Sequence, residues 1–590
     1  MKLYSFKQIE FLEKKLIEDY DYKPILLMEN AANSISDLLL KLFEGDFEDF
    51  EPAYLNEYLF LKYKKAYDAF IKNTEITFII GSGNNGADAL AVARKICIRK
   101  NYKVNLLLMG SGKTELRLYQ QKLLENINFK NLTFYDFSIE DSNRKSKISE
   151  ILTVPFIIDG VTGIGLKAPL NENLIKKIEF IEEYKGNDSF VISIDLPSGT
   201  TDSSSKILKS DICLMLQWAK AEFFYVENRK YCISYRILPC DMGIDNFNNN
   251  INSIELIQPE NIKNIIKRRD FFSNKGNFGK VFIISASLST LGAPLIASKA
   301  SFKSGAGYVY LYIDEKFEKL CKTTFPYIIT IPYKINSDKT DFISRDFEIK
   351  VDSKENQKVN SKDFEKQFKD TVIIGTGFGI YPELFFKILS KIVSKKINII
   401  IDGDGLNIIS QNFEKYVQII KNKTSKIVFT PHKKEFERLF DSYLNFVEKN
   451  SKDNFTANFS DNFDKNFNKN IDYNQKNFLD KGKILFSSNY IDGLLMKDYI
   501  SFFIGKKGIY CNNGCFSGFA KAGTGDFIAG VFASLISNYD IDDAAKILLA
   551  LQDRIALDLY NKKVSVESVI TENLIEQLEY SIKSLYHSST

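Results

Sequence analysis

Gly523-Thr524-Gly525-Asp526 leads into Phe527-Ile528-Ala529-Gly530-Val531-Phe532, whose apolar spacing predicts a helix with a carboxylate in its first turn, closely preceded by two glycines. Free N–H groups at such a terminus attract an anion. A carboxylate beside an anion site is a base placed to take the proton of a hydroxyl as it attacks a phosphoryl group. A second loop, Gly81-Ser82-Gly83-Asn84-Asn85-Gly86, fits G-x-G-x-x-G between a strand-like ITFII and a helix-like ALAVARKI. A dinucleotide site of the usual kind needs an acidic residue about 20 positions on, at the end of the next strand. That strand, KVNLLL, ends in Met109-Gly110-Ser111-Gly112, which disfavours it. What remains is a helix N-terminus suited to phosphate, with side-chain oxygens from Asn84, Asn85 and Asp88. Two more oxygen-rich loops follow strand-like runs: Asp159-Gly160-Val161-Thr162-Gly163 after VPFII, and Asp195-Leu196-Pro197-Ser198-Gly199 after FVISI. Loops at the carboxyl ends of parallel strands converge, so Asn85, Asp159, Asp195 and Ser198 are expected to meet.

The elements that must position these loops repeat along the chain. At about 100–200 residues per domain, 590 residues exclude a single domain. ITFII, KVNLLL, VPFII, FVISI and DICLML alternate with amphipathic stretches, the rhythm of a parallel sheet covered on both faces. A second series runs through KVFIIS, YVYLYI, TVIIG, INIIID, KIVFT and DGLLM. Between the two lies the polar run Asn246-Phe247-Asn248-Asn249-Asn250-Ile251-Asn252-Ser253, so the expected domains are 1–248 and 255–590 with 249–254 as linker. Two biased segments, 334–368 and 441–480, read as insertions; the second carries Asn-Phe at 454, 458, 462 and 466 and is expected to be a loosely packed surface excursion.

Composition narrows the function. With 79 basic and 75 acidic residues the net charge is +4 and the signs are intermixed, which leaves no footprint for nucleic acid or anionic membrane. Seven Cys without a C-x-x-C pair argue against a disulfide scaffold or structural zinc. The two His, His432 and His587, leave carboxylates, lysines and glycine loops to carry the chemistry. The charged N-terminus and the absence of an apolar run of about 18 residues point to a cytoplasmic protein.

Leu27-Met28-Glu29-Asn30-Ala31, Asn84-Asn85-Gly86-Ala87-Asp88, Asp159–Gly163, Asp195–Gly199 and Asp241-Met242-Gly243-Ile244 together resemble the NAD(P)H-hydrate epimerase family, over roughly residues 1–248. The resemblance implies a Rossmann-like three-layer α/β domain. It implies a potassium ion held by Asn85, Asp159 and Ser198. Asn84, Asn85, Gly86, Ala87 and Asp88, then Gly163, Ile164, Gly165, Leu166, Lys167, Ala168 and Pro169, and Asp195 would surround the hydrated dinucleotide. Epimerisation requires a hydroxyl to leave and return, which a carboxylate assists by proton transfer. Asp159 and Asp195 are both candidates.

In the second half, Ser273–Lys280, Gly292-Ala293-Pro294, Gly375-Thr376-Gly377-Phe378-Gly379, Asp402-Gly403-Asp404-Gly405, Thr430–Phe436 and Gly523–Asp526 resemble the ADP-dependent NAD(P)H-hydrate dehydratase family, which is ribokinase-like and three-layered. The resemblance implies Ala293, Gly379 and His432 at the substrate and Asp526 as catalytic base in contact with it. Lys497, Asp498, Tyr499, Ile500, Ser501 and Gly525 would hold the adenine nucleotide, with magnesium accompanying ADP. Asp498 stands where glycine normally follows the lysine and adds a like-sign charge near phosphate. The expected partners are small molecules, hydrated NADH or NADPH and ADP; association between copies stays open. A ribokinase-type kinase acting on a vitamin or sugar hydroxyl, with a non-catalytic N-terminal binding domain, is the alternative.

Overall fold

The computed structural model describes residues 1–137, 142–166, 170–201, 206–240, 253–287, 289–333, 370–450 and 477–587. The chain forms two compact units, Lys2–Ile254 and Glu255–Thr590, with Met1 grouped with the second. The division falls inside strand β10 (Ile254–Leu256), so the last residue of the expected linker is the first of a strand.

In the first unit the main sheet has seven parallel strands: β2 (Glu75–Ile80), β3 (Lys103–Leu108), β4 (Leu132–Asp136), β5 (Phe156–Gly160), β6 (Phe190–Ile194), β7 (Ile212–Leu216) and β9 (Ser234–Leu238), ordered β4-β3-β2-β5-β6-β7-β9. Ile76, Phe78 and Ile80 face one apolar core while Ile79 faces the other, the two-sided burial expected of a sheet between helical layers. The helix Asn84–Arg99 lies close on the sheet where both sides are small: a Cβ on Gly160 of β5 would meet the buried Ala89 Cβ at 2.5 Å. The turn before it is tighter still. A Cβ on Gly86 would meet the Gly81 carbonyl oxygen at 2.2 Å, so glycine is required there. A short strand β1 (Lys2–Tyr4) pairs in parallel with β8 (Ala219–Lys220), placing Tyr4 opposite Lys220.

The second unit has β11 (Lys280–Ile284), β12 (Tyr308–Asp314), β13 (Ile329–Tyr333), β14 (Asp370–Ile374), β15 (Asn398–Ile401), β16 (Lys426–Phe429), β17 (Gly493–Met496), β18 (Phe502–Ile504) and β19 (Ile509–Cys511). Their order is β13-β12-β11-β14-β15-β16-β17-β18-β19, parallel as far as β17 and antiparallel beyond it. The switch follows from connection length: β17, β18 and β19 are joined by short turns, which only antiparallel pairs allow. The helices Gly292–Lys303 and Thr524–Ile536 cross at Gly530, where Ser301 Oγ donates to the Gly530 carbonyl at 2.8 Å.

Segment 334–368 lies outside the described residues. At both described ends of 441–480 the structure differs from the expected loosely packed excursion. The helix Lys433–Asn450 runs through 441–450 and buries Tyr443 and Val447, and the helix Phe478–Ser487 opens with Phe478 and Leu479 buried. The spacing of Phe436, Leu439, Phe440, Tyr443 and Val447 is helical, and that apolar stripe outweighs the polar bias of the segment. The four Asn-Phe pairs lie outside the described residues.

Candidate active sites

In the first unit, Asp159 is the penultimate residue of β5, opposite Ser193 of β6. Its carboxylate is fully buried and accepts four hydrogen bonds. Val161 N–H donates to Oδ1 at 3.2 Å, Ser193 Oγ to Oδ2 at 2.9 Å, Ser198 N–H to Oδ2 at 2.8 Å, and Ser198 Oγ to Oδ1. Burial pushes its proton affinity up, against these four donors. The side chain fastens the loop after β6 to the loop after β5 and has no surface toward a substrate. Of the two expected proton carriers, Asp159 is fully buried and Asp195 is partly exposed.

Asn85 faces the same corner. Its Nδ2 donates to the carbonyls of Thr162 at 2.9 Å and Ile194 at 3.2 Å, which aims Oδ1 inward, buried and without a hydrogen-bond partner. An orphaned amide oxygen costs free energy unless a ligand uses it, and with the Asp159 and Ser198 oxygens it forms a hard-donor set suited to a monovalent cation.

Asp195 holds a left-handed backbone, φ 66°, which aspartate tolerates, and its Oδ1 is ion-paired with Lys220 Nζ. Lys220 also donates to the Leu216 carbonyl at 2.7 Å and is buried. A Cβ on Gly163 would lie 3.5 Å from Asp195 Oδ2 and 3.5 Å from Asn85 Cβ, so these three residues line one crevice. Asp88 shares it: desolvation first, then the charges of Asp195 and Glu13, push its carboxyl well above the usual range, while Lys220 opposes. Asn84 is exposed at the mouth and Gly165 is open, whereas Gly86 and Ala87 are packing residues and Ala87 belongs to the core. Ile164 packs beside Trp218, and the Leu166 N–H closes a turn on the Gly163 carbonyl at 3.2 Å. Lys167, Ala168 and Pro169 lie outside the described residues.

In the second unit, Gly523 takes φ +86° and starts the helix Thr524–Ile536, presenting Asp526 in its first turn. Desolvation, then the charges of Asp402, Asp404 and Glu435, push the Asp526 carboxyl up to about 7, while Lys497 pulls it down. Lys497 Nζ donates to Asp402 Oδ1 at 2.6 Å and would lie 3.5 Å from a Cβ on Gly525. Thr430 Oγ1 donates to the same Asp402 oxygen at 2.7 Å. Gly379 N–H donates to Asp404 Oδ2 at 2.7 Å, and a Cβ on Gly377 would touch Ala293 Cβ at 3.3 Å, so Ala293 and Gly379 stand on neighbouring loops of one mouth. His432 is exposed and caps the helix Lys433–Asn450: its Nδ1 accepts from Lys434 N–H at 3.1 Å, which leaves the proton on Nε2, 3.4 Å from Glu435 Oε1.

Asp498 is less of a repulsive charge than its type suggests. Burial pushes its carboxyl up, although its Oδ1 accepts from Tyr499 N–H at 2.7 Å. Ile500 and Ser501 are buried, and Ser501 N–H is taken by Asn512 Oδ1 at 2.8 Å. Of the expected nucleotide run, Tyr499 is exposed, Asp498 is half-buried and the Lys497 ammonium turns to Asp402.

Sequence reasoning had not placed Glu13, Ser193 or Lys220 in the first site, nor Asp402, Asp404, Thr430 or Glu435 in the second. The last four lie within motifs legible in the chain; Glu13 carries no local signal. Among the described residues, no group of three His, Cys, Asp or Glu is placed to hold a metal ion, no two cysteines form a disulfide, and no helix is long and apolar enough to cross a membrane.

Two family profiles match along the chain. The profile of the YjeF-related protein N-terminus matches residues 25–221, and that of NAD(P)H-hydrate dehydratase matches residues 281–466. A bifunctional NAD(P)H-hydrate repair enzyme of Dictyoglomus turgidum is 27% identical over 557 residues, covering 92% of this chain and 91% of its own. An ADP-dependent (S)-NAD(P)H-hydrate dehydratase of Listeria monocytogenes is 28% identical over 176 residues, 30% of this chain and 53% of its own. Among solved structures, a ribokinase-like superfamily protein of Enterococcus faecalis matches with a TM-score of 0.40 and 18% identity, covering 56% of this chain and 96% of that one. With both profiles matched and a bifunctional relative aligned over 92% of its length, the chain belongs to the family of bifunctional NAD(P)H-hydrate repair enzymes.

Proposed function

We propose that the first unit interconverts the two epimers of hydrated NADH or NADPH and that the second dehydrates the S epimer at the expense of ADP. The observation that carries this reading is Asp526: a carboxyl at a helix N-terminus, pushed up to about 7 beside Lys497, is a base suited to a hydroxyl that attacks phosphate. In the second unit Asp526 removes the proton of the hydroxyl at the hydrated ring carbon as its oxygen attacks the terminal phosphoryl group of ADP, and AMP departs. The phosphate ester then leaves, assisted by the ring nitrogen, and loss of a proton from the adjacent carbon restores the reduced ring. Lys497 and the N–H groups at Gly525 would meet the phosphates, and magnesium entering with ADP would screen their charge.

In the first unit the hydroxyl must leave as water and water must return to the other face. Asp88, which burial and its neighbours keep protonated, is the donor to the departing hydroxyl. Asp195, ion-paired with Lys220, takes the proton of the returning water, and passage of that proton from Asp195 to Asp88 restores the starting state. Asn85, Asp159 and Ser198 would hold potassium, which supplies fixed positive charge in the crevice; the orphaned Asn85 Oδ1 supports this placement.

A ribokinase-type kinase would also use Asp526, but its product would be a stable ester and the crevice of the first unit would have no task. Incubation with hydrated NADH and ADP, followed at the reduced-nicotinamide absorbance band, separates them. Recovery of absorbance with one AMP and one phosphate released per NADH is expected; a phosphorylated product without recovery would refute the repair reading.

A further inference from the structure

Four neighbouring strands of the second unit deliver the residues that follow them to one edge. Ile374, Ile401 and Phe429 are paired in register across β14, β15 and β16, so Gly375, Asp402 and Thr430, which come next, stand level at the carboxyl ends. β17 runs two residues beyond Leu494, its partner to Phe429, and delivers Lys497, whose N–H donates to the Pro431 carbonyl at 2.8 Å. A Cβ on Gly375 would meet the Asp402 carbonyl oxygen at 2.0 Å, so glycine is what lets β14 and β15 turn off side by side.

The side chains of this row converge on one oxygen. Asp402 Oδ1 accepts from Lys497 Nζ at 2.6 Å and from Thr430 Oγ1 at 2.7 Å, and Thr430 is fully buried. A lysine ammonium on its flexible stem has many positions open to it, and fixing one costs rotamer entropy. Here one is fixed. With Asp402 as its anchor, Nζ lies 3.5 Å from where a Cβ on Gly525 would be, at the first turn of the helix Thr524–Ile536 and beside the residue that precedes Asp526. A buried ion pair is a poor device for stability alone, because well-packed apolar residues of the same volume often serve as well. What the pair supplies in this place is a defined position for one positive charge.

We propose that Asp402 and Thr430 are positioning residues of the second site: the Thr430 hydroxyl aims the Asp402 carboxylate, and that carboxylate holds the Lys497 ammonium where the terminal phosphoryl group of ADP must meet it. Both act through Lys497 and make no bond to ADP or to the hydrated ring. The inference rests on the dehydratase reading of the second unit and deepens it.

The test is the steady-state rate at which the full chain recovers NADH from its hydrated S epimer, with ADP and the hydrate varied in turn and the other saturating. Asp402 is among the charges that push the Asp526 carboxyl up, so each variant is compared with the parent at its own optimum pH. Thr430→Val and Thr430→Ala both remove the hydroxyl, and each should raise KM for ADP about tenfold while KM for the hydrate stays within about twofold. Thr430→Ser, which restores the donor, should return KM for ADP to that of the parent. Asp402→Asn keeps the size and releases Lys497, so kcat/KM for ADP should fall about 10²-fold. An unchanged KM for ADP in a Thr430→Val or Thr430→Ala protein whose thermal melt matches the parent would overturn the proposal. So would an equal rise in both KM values, the mark of a site loosened as a whole. An Asp402→Asn loss cured by excess magnesium, with Thr430→Val like the parent, would make Asp402 a metal ligand and overturn it too. Failure of the unaltered chain to recover NADH with ADP would instead overturn the dehydratase reading itself.

Discussion

Lys497 Nζ donates to Asp402 Oδ1 at 2.6 Å with side chains only 11% and 5% exposed, so one buried ion pair stands behind the carboxylate that must act as base. Removing one partner of such a pair leaves the other charged and desolvated, at a cost of about 3–5 kcal/mol. Lys497→Met should lower the melting temperature, and adding Asp402→Asn should recover part of the loss. Because Lys497 pulls the Asp526 proton affinity down, Lys497→Met should also move the dehydratase pH limb to higher pH and raise KM for ADP. A double-mutant cycle on melting, paired with pH profiles, measures both effects.

Asp526 must be ionised to accept a proton. With its carboxyl pushed up to about 7, ADP-dependent dehydration should rise as pH passes through that value. Asp526→Asn keeps the size and loses the base, so dehydration should fall by about 10²–10⁴ while the epimers still interconvert. Loss of interconversion as well would count against two separate sites.

The same carboxyl makes a prediction about stability with its sign fixed by linkage. A carboxyl raised in the folded state favours folding while protonated and loses that advantage as pH climbs from about 4 to about 7. Asp526→Asn should therefore melt higher than the parent at pH 8 and close to it at pH 4. A variant that melts lower at pH 8 would show that the carboxylate is stabilised by contacts other than those seen.

Asp159 accepts from three N–H or O–H groups of the Ser193–Ser198 loop and one of its own. Asp159→Asn presents an NH₂ to donors, and leaving buried donors unmatched costs about 1–3 kcal/mol each. Loss of melting temperature should accompany loss of potassium-dependent epimerisation. Asn85→Ala, which removes the orphaned oxygen, should lose the potassium dependence with a smaller change in melting. Replacing potassium by lithium in the parent measures the dependence directly.

Phe478 is buried and packs edge-on to Phe436 at 5.1 Å. Phe478→Ala should destabilise the second unit by about 3–5 kcal/mol, read in a denaturant titration. Replacing 445–478 by a linker, which removes Val447 and Phe478 together, should cost more than replacing 451–476 alone.

The strands and the loops that follow them were legible in the chain because both are local: β-branched runs followed by Gly, Asn and Asp fix where a parallel sheet delivers its oxygen-bearing turns. Gly523–Asp526, Asn85, Asp195 and Ser198 were placed by that logic alone. What each carboxyl does was decided by the tertiary structure. Asp159 and Asp195 sit in similar strand-end loops, yet one is walled in by four donors and the other is set against Lys220, from a segment 25 residues away in sequence. Lys220 acquires its place only in the fold, where the β1–β8 pair sets it opposite Tyr4 and its ammonium meets Asp195. Desolvation and long-range charge set proton affinities, and neither is written in the spacing of nearby residues.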